Sequence, residues 1–308
     1  MKQAKQYLRM INPFNDTQEI PNAVYVMKKI LAFIILYYCA AVIGEAIIIG
    51  GVSAMGYDPL HGEMPAGSEL FPYYGYSIFI LCTVLYCKLI EKRNLRSMGF
   101  SKSVWDYIVG AGIAVIILAV IMGMCCITGC ISYEGISKNA NYGYLVILFG
   151  GFIIQSMGEE VLCRGFLMPT LLKKVSMPVA VFISSTAFAF PHFSSLFEME
   201  MQFRIVGALN LYLISVIFSL LILCRSNIWV ACGLHGVWNF LLYGVFGLNL
   251  SGNEANAAGI LSFKVETSTI LNGGIYGIES SIITTIVLAI AAALLYKWYS
   301  GNRKTKEM

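Results

Sequence analysis

The chain has 308 residues, 58% of them hydrophobic and only 12% charged, with a net charge of +4. Soluble domains carry roughly 25% charged residues, so this composition excludes a large soluble domain and points to an integral membrane protein. Long apolar runs recur from residue 28 to residue 298. In chain order they predict eight spans, at roughly 28–51, 71–90, 107–130, 143–165, 177–193, 205–224, 228–248 and 277–298. Each is about 20 residues, the length a helix needs to cross the hydrocarbon. Repeating strands of alternating polarity are absent, which argues against a β-barrel. The expected fold is therefore all-α, a polytopic bundle of about eight transmembrane helices with any site in the bundle core. Residues 1–27 read as a polar cytoplasmic lead, 28–298 as the transmembrane domain and 299–308 as a cytoplasmic tail. The first span is too long and starts too late for a cleavable signal peptide.

Charge placement orients the spans. Lys2, Lys5, Arg9, Lys28 and Lys29 precede the first span, and Lys88, Lys92, Arg93, Arg96 and Lys102 lie between the second and third. Lys173, Lys174 and Arg225, with Lys297, Arg303, Lys304 and Lys306, fall on the same side. Only Lys138, Arg204 and Lys264 fall on the other, and Arg164 sits at a span end. The positive-inside rule then puts both termini in the cytoplasm. These basic residues face the lipid bilayer boundary, and no nucleic-acid partner is expected. High Ile and Lys in a compact chain suggest a bacterial plasma membrane. Nine cysteines lie mostly within apolar spans without CxxC spacing, so they read as free thiols packing as small hydrophobes. Trp238 and the Tyr-rich YYGY at 73–76 suit interfacial aromatic belts, and Trp238 can alternatively wall a site.

Some polar residues sit where lipid penalises them. The stretch GEEVLCRG, 158–165, places Glu159, Glu160 and Arg164 in an apolar span. An ionisable group there costs about 2.5–3.5 kcal/mol on insertion scales, so its presence marks function by default. Glu160 and Arg164 are one turn apart and can pair. Glu159 is rotated about 100° away and is a candidate general base. Two of the three histidines also lie in spans, in FAFPH with Phe188 one turn before His192, and in HGVWN with His235 one turn before Asn239. Imidazole relays protons near neutral pH, and His and Asn donors steady an oxyanion. Such groups suit water attacking an amide. The fifth span is interrupted by Pro191, so a break near Phe190 is expected there.

Glu159, Glu160 and Arg164 in EExxxR, Phe188 and His192 in FxxxH, and His235 and Asn239 in HxxxN together resemble the three signature motifs of the CPBP family. That family groups type II CAAX prenyl endopeptidases with bacterial bacteriocin-processing and self-immunity membrane proteins. The resemblance covers about residues 143–245. It implies an eight-helix intramembrane protease acting on a membrane-associated peptide or protein substrate. Glu159 would be the water-activating base, His192 its partner, and His235 with Asn239 the oxyanion or metal-binding pair. Glu160, Arg164 and Phe188 would support them. A zinc ion held by Glu159, His192 and His235 and a metal-free glutamate mechanism are both admissible; HExxH, paired core aspartates and GxSG are absent. The alternative within the same family is a non-catalytic membrane protein conferring immunity or regulating a sensor.

Overall fold

The computed structural model describes residues 10–14, 20–101, 103–265 and 267–307, the last six of them by backbone alone. Parts of the expected N-terminal lead and C-terminal tail, and the charges of Lys2, Lys5, Arg9 and Lys102, lie outside the described residues. The chain is overwhelmingly helical, as an apolar chain must be where lipid cannot satisfy backbone groups. The helices are α1 (Asn22–Ala54), α2 (Phe71–Leu89), α3 (Trp105–Ile127), α4 (Tyr142–Glu160), the short α5 (Met168–Leu171), α6 (Met177–Ala189), the short α7 (Phe193–Phe197), α8 (Met201–Arg225), α9 (Trp229–Asn239) and α10 (Ile282–Glu307). The chain is thus an all-α polytopic membrane protein.

Among the described residues, seven helical runs are long and apolar enough to cross a membrane. The expected span at 228–248 is the one that falls short. It comprises the 11 residues of α9 followed by 6 residues of wider, π-type helix at Phe240–Val245. Nearly all of α9 is buried in protein, so its length need not match the bilayer. The fifth span breaks where proline demands it: α6 ends at Ala189, a 3-10 turn covers Phe190–His192, and α7 follows.

Two compact units make up the chain. One comprises residues 1–101 and 154–184, the other 102–153 and 185–308. In the first unit, α4 passes Glu160 and widens into a π-type segment at Val161–Leu167. The irregular carbonyls there are met by side chains. Arg93 donates to the carbonyls of Gly165 and Phe166 at 3.1 and 3.4 Å and to the Thr170 hydroxyl at 2.8 Å. Ser184 donates to the Cys163 carbonyl at 3.0 Å. Arg93 is therefore more than an orienting charge. It braces the helix end that carries the EExxxR motif, beside a buried Lys29–Glu91 ion pair of 2.5 Å.

In the second unit, glycines permit close helix crossing. A Cβ on Gly110 of α3 would lie 1.9 Å from the Val230 carbonyl oxygen, and one on Gly233 of α9 would lie 2.0 Å from that of Tyr107. Only glycine fits both positions, so α3 and α9 meet backbone to backbone. On the side predicted to be outer, β1 (Ser132–Ile136) pairs antiparallel with β2 (Leu261–Lys264), Tyr133 opposite Phe263. This ribbon joins the two loops expected to emerge on one face. Asp106 of α3 accepts from Arg225 at 2.9 Å and from Asn227 at 2.8 Å, tying α3 to the α8–α9 turn.

Candidate active site

The carboxylates occupy the first unit. Arg164 donates to Glu160 at 2.9 Å, and both side chains are fully buried. Glu159 points elsewhere, as the helical period requires. It accepts from Gln155 Nε2 at 3.2 Å and hydrogen-bonds the Tyr76 side chain, with Tyr37 close by. Gly158 makes this approach possible, since a Cβ there would stand 3.0 Å from the Tyr76 carbonyl oxygen. Tyr76 also stacks on Phe79, centroids 4.8 Å apart. Tyr76 is thus turned inward to a carboxylate rather than serving an interfacial belt. Glu159 is only partly buried, whereas Glu160 is sealed. One EE pair holds a neutralised structural carboxylate and an accessible one.

The imidazoles occupy the second unit. His192 follows the 3-10 turn at Pro191 and folds back over Phe188, ring centroids 5.4 Å apart. Its Nδ1 lies 3.2 Å from the Phe188 carbonyl. A carbonyl only accepts, so this contact places a proton on Nδ1. His235 stacks on Phe218, centroids 5.1 Å apart, and meets Phe188 edge-on at 5.6 Å. Phe188 therefore touches both imidazoles and sets their spacing. Asn239 is buried one turn beyond His235, at the last residue before the second π-type segment. Two of the three motif-bearing helices, α4 and α9, widen directly after their polar pair, a feature frequent at functional sites.

Trp238 is buried and donates from Nε1 to Glu279 Oε1 at 3.1 Å. It anchors protein to protein rather than lining a membrane interface. Glu279 Oε2 in turn accepts from the Ser251 backbone N–H and hydroxyl at 2.7 and 3.0 Å. Sequence reasoning missed Glu279, although a carboxylate at the start of the last expected span was a signal of the same kind as Glu159. It also missed Tyr76, Gln155 and Asn210. Asn210 is buried in α8 and donates to the carbonyls of Glu279 and Ser281 at 2.8 and 3.0 Å.

Catalytic zinc takes three protein ligands as a rule. Among the described residues, no three His, Cys, Asp or Glu side chains are gathered as a metal-holding set. All nine cysteines are free thiols; Cys87, Cys125, Cys163 and Cys232 are buried as the packing role expects, whereas Cys39 and Cys126 are exposed.

Residues 141–241 match the family described as type II CAAX prenyl endopeptidase Rce1-like. The match covers about a third of the 308 residues and takes in Glu159, Glu160, Arg164, Phe188, His192, His235 and Asn239. No curated protein matches the chain.

Proposed function

We propose that this chain, which carries a type II CAAX prenyl endopeptidase Rce1-like domain at residues 141–241, is an intramembrane endopeptidase of membrane-associated proteins or peptides. The family supports protease activity of the CAAX type. In the proposed chemistry Glu159 takes a proton from water as its oxygen attacks the scissile carbonyl carbon, and returns that proton to the leaving amine nitrogen. His192, its ring held by the Phe188 carbonyl at Nδ1, assists that transfer. His235 and Asn239 donate to the oxyanion that develops on the carbonyl oxygen. Glu160 and Arg164 fix the helix that presents Glu159, and Phe188 fixes the two imidazole planes. The substrate is a CAAX-type protein or a leader peptide of bacteriocin type. Both termini lie in the cytoplasm of a bacterial plasma membrane under this reading.

One observation carries the proposal. The domain match includes Glu159, Glu160, Arg164, His192, His235 and Asn239, and Glu159 is the carboxylate of the pair that Arg164 does not meet. The reading requires the carboxylate and the imidazoles to act on one peptide bond. The test is single replacement, Glu159→Gln, Glu159→Ala, His192→Ala and His235→Ala, with membrane expression verified. Loss of cleavage in each well-expressed variant supports the proposal. Full retention of the cellular phenotype in all of them would sink it, and would favour the non-catalytic immunity or sensor-regulating role.

A further inference from the structure

The C-terminal end of α3 brings two cysteines face to face. Gly129 adopts a left-handed conformation with φ of +70°. The Cys130 N–H donates to the Cys125 carbonyl at 3.1 Å, and the Gly129 N–H donates to the Cys126 carbonyl at 3.1 Å. These paired bonds around a left-handed glycine define a Schellman cap, in which the side chains of the third-last helical residue and the second residue beyond the cap meet. Apolar side chains are usual at those two places. Here they are Cys125 and Cys130.

Further contacts hold the pair in register. The Cys130 thiol lies 3.5 Å from the Cys125 carbonyl, and the Thr128 hydroxyl lies 3.4 Å from the Cys130 sulfur. Disulfides span Cα separations of roughly 4.4–6.8 Å, and a direct N–H···O bond between the two residues keeps their backbones within that reach. Cys125 is buried while Cys130 is partly accessible, so an incoming oxidant meets Cys130 first. The same turn supports the outer loop: Asn272 donates to the Cys130 carbonyl at 3.2 Å, and the Cys125 thiol lies 4.0 Å from the Leu271 carbonyl. β1 begins two residues after Cys130.

We propose that Cys125 and Cys130 are a redox pair that closes to a disulfide and staples the α3 cap beneath the loop at residues 271–272. A low-molecular-weight disulfide is the oxidant. The Cys130 thiolate attacks it, releasing one thiol and forming a mixed disulfide. The Cys125 sulfur then displaces the second thiol, forming the Cys125–Cys130 bond. Two protons and two electrons leave the pair, and the oxidant becomes two thiols. Cys126, exposed and turned about 100° round the helix from Cys125, is not the partner. This inference is independent of any protease activity.

The test uses the full chain purified in detergent and equilibrated in glutathione buffers of rising oxidised fraction, then acid-quenched, alkylated and mapped by mass spectrometry. Under reduction all nine cysteines alkylate. Under oxidation the expected count is nine minus two, seven, in a protein lighter by two hydrogen atoms, with the link inside the peptide holding residues 125 and 130. Cys126→Ser should retain that loss of two thiols, and Cys130→Ser should abolish it. Nine alkylated thiols at every buffer ratio, a link through Cys126, or a stable glutathione adduct on Cys130 would overturn the proposal.

Discussion

Arg164 donates to Glu160 at 2.9 Å inside the protein, while the preceding Glu159 turns to Gln155 and Tyr76. Neighbouring carboxylates therefore meet opposite environments because one residue of helix rotates the side chain by about 100°. Glu160 is sealed with Arg164, and Glu159 stays partly accessible.

Breaking the sealed pair should destabilise the protein. Arg164→Met removes the cation paired with the buried Glu160, a loss of about 3–5 kcal/mol for such pairs. The double variant Glu160→Gln with Arg164→Met removes both charges and should recover much of that loss. Thermal unfolding in detergent reads this out. A single variant as stable as the parent would show the pair to be dispensable.

Tyr76→Phe keeps the ring on Phe79 and removes the hydroxyl that bonds Glu159. A net hydrogen bond contributes about 0.5–1.5 kcal/mol, so turnover should fall by a few-fold to about tenfold. Unfolding temperature should change little. Initial-rate measurements with the purified variant check this, and an unchanged rate would remove Tyr76 from the site.

Glu279→Ala leaves the Trp238 indole N–H and two donors of Ser251 without their shared acceptor. Orphaned buried donors cost about 1–3 kcal/mol each. The loop between Phe246 and Ser281 should then be cut faster in limited proteolysis, while the ribbon residues 132–136 stay protected. Equal cleavage rates in parent and variant would contradict the role of Glu279 as the loop's anchor.

Gly233→Ala puts a methyl where the Tyr107 carbonyl oxygen would stand 2.0 Å away. Overpacking of this kind costs about 1–3 kcal/mol, and backbone contact leaves less room for relief than a side chain would. The expected result is a lower unfolding temperature with His235 itself untouched. A variant of parental stability would mean that α9 can slide on α3.

Much of this was readable from the residues. Apolar run lengths marked seven of the helices, and Pro191 forecast the break that the 3-10 turn at Phe190–His192 realises. Helical rotation alone indicated that Glu160, and not Glu159, would meet Arg164. Three features were not readable. The short α9 hides its length because burial in protein replaces burial in lipid. The π-type segments after Glu160 and Asn239 have no sequence period of their own; the first depends on Arg93, distant in the chain, reaching its carbonyls. The β1–β2 ribbon pairs residues more than 120 positions apart, and neither strand is long enough to announce itself.

Peptide hydrolysis by Glu159→Gln tests the central claim most directly. Proteoliposomes carrying the parent chain or the variant would be assayed against a panel of prenylated CAAX-type peptides and membrane-anchored leader peptides, with equal folded protein verified. General base catalysis contributes about 10²–10⁴-fold, so the variant should cleave at least a hundredfold more slowly than the parent on whichever peptide the parent hydrolyses. A variant that cleaves at the parental rate, or a parent inert towards the entire panel, would contradict the account.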